Sequence, residues 1–160
     1  MSQPLGTDDY REGAFARLGE AQTLLDDAKW VGAMYLAGRA VECMLRSLLW
    51  MKERKNEAGH DLRLMLRRAR SIGMIDDGDV DLENDINEAA IVWHNNLRFI
   101  GEKRCLRDLR AVGRDRRVGS LIVKGDPLKT NASRMFETCS AIVARGEVTW
   151  KRFKANSKVS

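Results

Sequence analysis

The chain has 160 residues, of which 44% are hydrophobic and 32% charged, and its net charge is +5. This length suits one domain with a single core, and no apolar run approaches the roughly 18 residues that a membrane span needs. The first residues also lack the basic-then-apolar pattern of a secretory signal, so we expect a cytoplasmic protein without a membrane partner.

Metal and disulfide sites are not indicated. The three cysteines are far apart in the sequence and form no CxxC pair, which favours buried thiols. The acidic segment 75–86 lacks the residue register of a calcium-binding loop. We therefore expect no metal and no cofactor. The cysteines are Cys43, Cys105 and Cys139.

The two ends of the chain resemble flexible termini. Residues 1–9 have no apolar period and contain Pro4 and Gly6, so we expect them to be disordered, as we expect of residues 156–160. A single domain then occupies residues 10–155. It divides into a helical core at 10–100, a basic insertion at about 102–126 and a final helix at about 127–155.

Apolar residues at three- and four-residue spacing predict two long helices at the start of the domain. The first runs from Tyr10 to Lys29 and the second from Trp30 to Lys55. A turn near residues 28–31 is so short that the two helices must be antiparallel. The expected buried stripe of the first helix is Phe15, Leu18, Ala21, Leu24 and Leu25. That of the second is Met34, Ala37, Val41, Met44, Leu45, Leu48 and Leu49.

Two further helices complete the predicted core. Residues 56–59 break the second helix, and Asp61 is a suitable N-cap for a third helix that ends at Gly73. A fourth helix is expected from Leu82 to Phe99, with Trp93 among its buried residues.

The pattern changes after residue 101. Residues 102–112 predict a short basic helix, whereas the β-branched segment 118–124 predicts an extended piece or a short strand. Asp126 and Pro127 are typical of a helix start and open the final helix. The sequence thus predicts an all-α, up-and-down bundle of about five helices, with a basic loop or short extended segment before the last helix.

Part of this pattern resembles a known family. The string YLAGRAVE from Tyr35 to Glu42, the HDL that begins at His60, and WHNNLRF from Trp93 to Phe99 resemble motifs of the HEPN family. These are small helical domains named for a proposed nucleotide-binding role. The resemblance covers about residues 12–100 and implies an HEPN-like bundle that forms a homodimer.

The resemblance implies two classes of function. One is a non-catalytic module that binds a nucleotide, a nucleic acid such as RNA, or a partner protein of the nucleotidyltransferase type. The alternative is a metal-independent ribonuclease that acts as a toxin or defence effector. In that chemistry a histidine serves as acid or base, and an arginine stabilises the charge that grows on phosphate.

Catalytic HEPN members carry an arginine that is separated from a following histidine by four to six residues. Arg54 and His60 satisfy this spacing, but they lie at the turn between the second and third helices, where the family motif does not usually fall. Arginine is so frequent here that the spacing also arises easily by chance. We therefore favour a structural role for His60 at the start of the third helix.

The second histidine lies in the predicted fourth helix. His94 and Arg98 are four residues apart, so on an α-helix they would share a face with Asn95 one step around and converge on one phosphate or base. Their order is the reverse of the family motif. Alternatively, both side chains bond neighbouring helix ends or Glu42, which is also spaced to pair with Arg39 or Arg46.

The positive charge is concentrated in the C-terminal part. Residues 101–160 contain 15 Lys and Arg against 6 Asp and Glu, which makes this part the best candidate for nucleic-acid backbone contact. Its basic segment contains no aromatic residue, so base stacking is not indicated. A solvated face or an acidic partner protein are the alternatives. The candidate residues are Lys103, Arg104, Arg107, Arg110, Arg114, Arg116, Arg117 and Lys124.

Overall fold

A computed structural model describes residues 3–54 and 59–158, which form six α-helices, one 3₁₀ helix and a two-stranded hairpin. The all-α prediction is confirmed. In chain order the elements are α1 (Thr7–Asp26), α2 (Trp30–Glu53), α3 (Leu62–Ser71), α4 (Val80–Val92), the 3₁₀ helix (Asn95–Phe99), α5 (Glu102–Ala111), β1 (Arg117–Val118), β2 (Leu121–Ile122) and α6 (Pro127–Ser157).

The terminal helices extend beyond their predicted limits. The Asp9 carboxylate accepts a hydrogen bond from the Gly6 backbone N–H at 2.8 Å, which caps α1 three residues earlier than expected. Residues 7–9 and 156–157, which we expected to be disordered, are therefore helical.

The α2 helix forms the centre of the core and contacts α1, α3, α5, α6 and the 3₁₀ helix. Its predicted stripe is buried throughout. Met44 of α2 packs against Gly146 of α6, where a Cβ added to the glycine would lie only 2.2 Å from the Met44 Cγ. The two helices therefore approach closely at this point. The first stripe is wrong at Phe15, which is exposed. The predicted Ala21 is buried together with Ala14, and the three leucines of the stripe are half-buried.

The α3 helix runs in the same direction as α2, which departs from a strict up-and-down order. Its start lies beside the middle of α2, where Arg46 donates to the Gly59 carbonyl. Its end lies beside the end of α2, where Arg68 Nε is 2.7 Å from the Glu53 carboxylate. Asp61 caps α3 as predicted. The predicted helix break at 56–58 lies outside the described residues.

The predicted fourth helix is interrupted at Trp93. Here the backbone becomes extended, and the indole Nε1 donates to the Tyr35 carbonyl at 3.0 Å. The ring lies against Gly38, where a Cβ would be 2.0 Å from the Trp93 ring. Anchoring of this side chain on α2 ends the α-helix at Val92, and the chain resumes as the 3₁₀ helix.

The C-terminal elements agree with the sequence pattern. The α5 helix spans ten residues, and the extended segment is an antiparallel hairpin in which Arg117 pairs with Ile122 and Val118 with Leu121. Asp126 caps α6, whose first residue is Pro127. In residues 3–54 and 59–158 no helix has both the length and the apolar character needed to cross a bilayer.

Candidate functional site

A buried carboxylate near the middle of α2 gathers three basic side chains. The Glu42 side chain is only 1% exposed. Arg39 Nη1 donates to its Oε2 at 2.6 Å, and Arg46 Nε and Nη2 donate to its Oε1 at 2.9 and 2.7 Å. His60 Nδ1 also lies 2.9 Å from Oε1. The predicted pairing of Glu42 is thus confirmed for both arginines, and it is a buried pairing. We call these four residues the Glu42 cluster.

Two structural features assemble the Glu42 cluster. Arg39, Glu42 and Arg46 are three and four residues apart, so they share one face of α2. His60 joins them because the start of α3 lies beside the middle of α2, where the Gly59 carbonyl accepts from Arg46. Helical spacing in the sequence predicted the contacts of Glu42 with the two arginines. It did not predict the contact with His60, since nothing local links that residue to one 18 positions earlier.

The orientation of the His60 ring follows from its partners. A carboxylate can only accept and a guanidinium can only donate, so Nδ1 cannot bond both Glu42 and Arg39. The shorter contact with Glu42 Oε1, 2.9 Å against 3.2 Å, favours a proton on Nδ1, which leaves Nε2 as the acceptor. Nε2 has no partner among residues 3–54 and 59–158, and the side chain is 44% exposed. Arg39, whose side chain is 33% exposed, has its Nη1 on the Nδ1 side of the same ring, 3.2 Å from that nitrogen.

The charge of Arg39 is held by Glu42. Burial by itself lowers the pKa of the Arg39 guanidinium, but attraction and hydrogen bonding to Glu42 outweigh this, and the net pKa is raised. Two arginines against one glutamate leave the Glu42 cluster with an excess of positive charge. The Glu42 cluster therefore exposes an imidazole nitrogen and a guanidinium to solvent, while the carboxylate that holds them is buried.

The predicted pairing of Arg54 with His60 is wrong. Arg54 ends α2 in a left-handed conformation, with φ 49°. It lies twelve residues beyond Glu42, about 18 Å along the helix axis at 1.5 Å per residue. Because α3 starts beside the middle of α2, His60 meets Arg39 instead.

The expected helix face of His94, Asn95 and Arg98 is absent, because the α-helix has already ended. His94 has an extended backbone between α4 and the 3₁₀ helix and lines a cleft of about 230 Å³ beside α5. The Arg98 guanidinium stacks on the Phe99 ring at 4.4 Å. Among residues 3–54 and 59–158, the side-chain partners of Glu42 are Arg39, Arg46 and His60, and neither His94 nor Arg98 bonds it.

The eight predicted contact residues of the basic segment divide into six exposed cations and two arginines that pair with acidic side chains. Lys103, Arg107 and Arg110 are exposed at four- and three-residue spacing, so they form one outer face of α5. Arg116, Arg117 and Lys124 are exposed on and beside the hairpin. We call these six residues the basic surface.

The other two predicted contact residues have acidic partners. Arg104 is exposed and pairs with Asp108 of its own helix at 2.9 Å. Arg114 is 5% exposed and bonds Glu88 of α4 at 2.8 Å, while its carbonyl accepts from Asn131 of α6 at 2.9 Å. Arg114 is therefore not available to a polyanion, which corrects its assignment. It instead fastens the start of the hairpin to α4 and α6.

The cysteines agree with the prediction of buried thiols. Cys105 and Cys139 are buried and Cys43 is half-buried. Burial raises the pKa of the Cys105 thiol to about 11, and it also raises the pKa of Cys43 and Cys139. Across the described ranges, no three His, Cys, Asp or Glu side chains are grouped so that they could hold a metal ion.

Comparisons with protein-family models, with curated proteins and with solved structures found no match to this chain.

Proposed function

We propose that the protein is an HEPN-like module that binds nucleic acid through the basic surface. The observation that carries the proposal is the repetition of exposed cations along α5 and onto the hairpin. The six side chains differ from Arg104 and Arg114, whose charges are matched by Asp108 and Glu88. Cations of this kind gain binding free energy from phosphates by releasing condensed counterions.

The arrangement of these cations suits a phosphate backbone. From Lys103 to Arg110 the face of α5 extends about 10 Å at 1.5 Å per residue, which is long enough for several backbone phosphates. The hairpin continues from the end of α5, because the Arg114 backbone N–H donates to the Leu109 carbonyl and closes the connection. One continuous module thus carries both halves of the basic surface.

Binding can be tested with a fluorescent 20-nucleotide probe, single-stranded or double-stranded, titrated at several salt concentrations. We expect log K to fall linearly with log[salt], and the slope to shrink by about 1 for each phosphate that a variant no longer neutralises. The test variant is K103Q/R107Q/R110Q. The charge-matched control is R63Q/R67Q/R152Q, which neutralises exposed cations on α3 and the far half of α6. Equal slopes for wild type and test variant would contradict the proposal.

RNA cleavage is a second candidate, and the Glu42 cluster favours it. In metal-free RNA cleavage the 2′-oxygen attacks the adjacent phosphorus, which forms a 2′,3′-cyclic phosphate and breaks the P–O5′ bond. A base takes the 2′-hydroxyl proton, a proton from an acid or from solvent goes to the leaving 5′-oxygen, and a cation stabilises the charge on phosphate. His60 Nε2 supplies a base whose ring Glu42 orients, and Arg39 supplies an adjacent guanidinium. Support comes from this geometry and from the resemblance, although the arginine comes from α2 and not from the preceding turn.

Incubation of a mixed RNA pool with the purified protein in EDTA tests this candidate. We expect cleavage by wild type and by H94A, and none by H60A. Because Glu42 holds His60, each variant is checked for an unchanged circular dichroism spectrum. Intact RNA with wild-type protein would exclude cleavage without affecting the binding proposal, and loss of cleavage in H94A alone would move the site to the cleft beside α5.

A further inference from the structure

The cleft of about 230 Å³ beside α5 has an apolar lining that is only partly buried. Its floor consists of Leu97, Cys105 and Leu109, which are 2–3% exposed. Ile91 and Val112 also line the cleft, and they are 44% and 55% exposed, so part of the apolar lining faces solvent. A flat apolar group that entered the cleft would remove this surface from water, which favours binding.

The side of the cleft opposite α5 has a fixed position. The Trp93 indole donates to the Tyr35 carbonyl of α2 at 3.0 Å, which holds the chain at the end of α4. One residue later, the His94 carbonyl accepts from the Leu97 backbone N–H at 3.0 Å. His94 and Leu97 are therefore positioned before a ligand arrives, so binding loses little conformational entropy there.

Three polar side chains, those of His94, Arg104 and Asp108, line the same cleft. Arg104 Nε lies 2.9 and 3.1 Å from the two carboxylate oxygens of Asp108. In residues 3–54 and 59–158 this guanidinium has no other hydrogen-bond partner, so both Nη groups can donate to a ligand, and the carboxylate keeps lone pairs that can accept. The pair is 57% and 37% exposed, so it contributes little to stability and can rearrange. His94 adds an exposed imidazole ring, which can stack on a base.

This polar pair distinguishes between the nucleic-acid bases. A carboxylate beside a guanidinium matches an edge on which neighbouring donors are followed by neighbouring acceptors. Guanine has that edge, since its N2 and N1 donors are followed by O6 and N7, the acceptors that arginine commonly binds. Cytosine offers one donor group before its acceptors, and the edges of adenine, uracil and thymine alternate donors and acceptors. Guanine therefore makes the largest number of hydrogen bonds with Asp108 and Arg104.

The cations of α5 indicate that the guanine belongs to a strand. Arg107 follows Arg104 by three residues and is therefore its neighbour on the helix surface. It shares the exposed outer face with Lys103 and Arg110. A base in the cleft would thus lie beside cations that can hold the adjoining phosphates. The base must also be unpaired, because a complementary strand would occupy the edge that the cleft contacts.

We propose that the cleft binds an unpaired guanine of a single strand, with Asp108 accepting from N1 and N2, Arg104 donating to O6 and N7, and His94 stacking on the ring. This inference rests on the proposed nucleic-acid binding and names its substrate class. The basic surface supplies affinity that does not depend on sequence, and the cleft adds a preference for one base.

The experiment measures fluorescence anisotropy of the full chain with oligothymidylate DNA strands that differ in one central base: guanine, hypoxanthine, 7-deazaguanine, adenine or cytosine. DNA is used because a strand without 2′-hydroxyls cannot be cleaved through its own 2′-oxygen. Hypoxanthine lacks the N2 amino group of guanine, and 7-deazaguanine lacks the N7 acceptor.

The test variants are D108A, which removes the acceptor, and R104M, which removes the donors but keeps the aliphatic stem. The matched control is E20A, which removes an exposed carboxylate that pairs with Arg17 on α1 at 2.7 Å. Because both ion pairs are exposed, we expect all three variants to keep the melting temperature of wild type.

Each variant has its own expected pattern. Wild type binds the guanine strand about tenfold more tightly than the adenine strand, and it loses about tenfold with either guanine analogue. D108A no longer distinguishes guanine from hypoxanthine but still distinguishes it from 7-deazaguanine, and R104M shows the reverse. E20A behaves as wild type. Annealing a complementary strand removes the preference for guanine, because pairing occupies the edge that the cleft contacts.

The failures of the two proposals are distinguishable. Salt-dependent binding that is equal for all central bases, or strongest for cytosine, overturns guanine recognition and leaves nucleic-acid binding intact. Binding to none of the strands overturns both. Guanosine monophosphate supplies a further check as a competitor: if it binds as tightly as the guanine strand, the cleft takes a free nucleotide and the inference of a strand is overturned.

Discussion

At the residue scale, two small details explain the string YLAGRAVE. Gly38 leaves room for the Trp93 ring, and Glu42 holds Arg39, Arg46 and His60. The pairing along α2 was predictable because helical spacing fixes it. The contact with Trp93 and the arrival of His60 were not predictable, since both depend on where distant segments pack.

Gly38→Ala should destabilise the fold by about 1–3 kcal/mol. The added Cβ would lie 2.0 Å from the Trp93 ring, so the indole must move and strain its packing and its bond to Tyr35. Gly19→Ala is a matched control in the middle of α1, where a Cβ meets no atom within 4 Å. We expect that control to gain up to about 1 kcal/mol from helix propensity. Urea unfolding measures both, and equal midpoints would contradict the steric argument.

At the element scale, periodicity predicted most helices but not how they end or run. Trp93 and Leu97 continue the four-residue spacing of α4 and are both buried, yet the α-helix has ended before Trp93. A pattern of buried positions does not distinguish a continuous helix from a helix followed by a 3₁₀ turn. The direction of α3 could not be predicted from the sequence either, because a short connection usually implies an antiparallel neighbour, whereas α3 runs in the same direction as α2.

The contact between α1 and α6 should make stability depend on acid pH. Arg11 holds the Glu147 carboxylate through two hydrogen bonds, one of them 2.6 Å from Nε to Oε2, and these lower the pKa of Glu147 below its ordinary 4.5. A carboxylate with a depressed folded-state pKa stabilises the fold above its unfolded pKa, and that stabilisation is lost as pH falls through the folded value.

We therefore expect Glu147→Gln to lower the free energy of unfolding at pH 7 and to differ progressively less from wild type as the pH is reduced from about 5 to about 3. Glu137→Gln is the control, since its carboxylate is exposed and lies 3.8 Å from Arg134. Denaturant unfolding across this pH range measures the effect. A constant difference between Glu147→Gln and wild type would show that the ion pair does not carry the pH dependence.

At the scale of the whole molecule, the sequence showed the uneven charge but not which cations are available to a partner. The sequence offered eight candidate cations in the basic segment, but it did not distinguish those that support the fold from those that face solvent. Burial makes that division: Arg114 is enclosed by α4 and α6, while Arg116, two residues later, is exposed. Arg114 thereby links the segment before the hairpin to α4 and α6.

Arg114→Gln should therefore destabilise the protein and release the hairpin, whereas Arg116→Gln should do neither. Loss of the charged hydrogen bond to Glu88 costs about 2 kcal/mol for a buried donor of this kind. Hydrogen exchange of the Val123 amide, which bonds the Arg116 carbonyl, reports on the hairpin itself. We expect faster exchange at Val123 in Arg114→Gln and wild-type exchange in Arg116→Gln, because the second substitution leaves the backbone carbonyl in place. If both variants exchange alike, the hairpin is held by β pairing alone, and the buried arginine contributes stability without organising the basic surface.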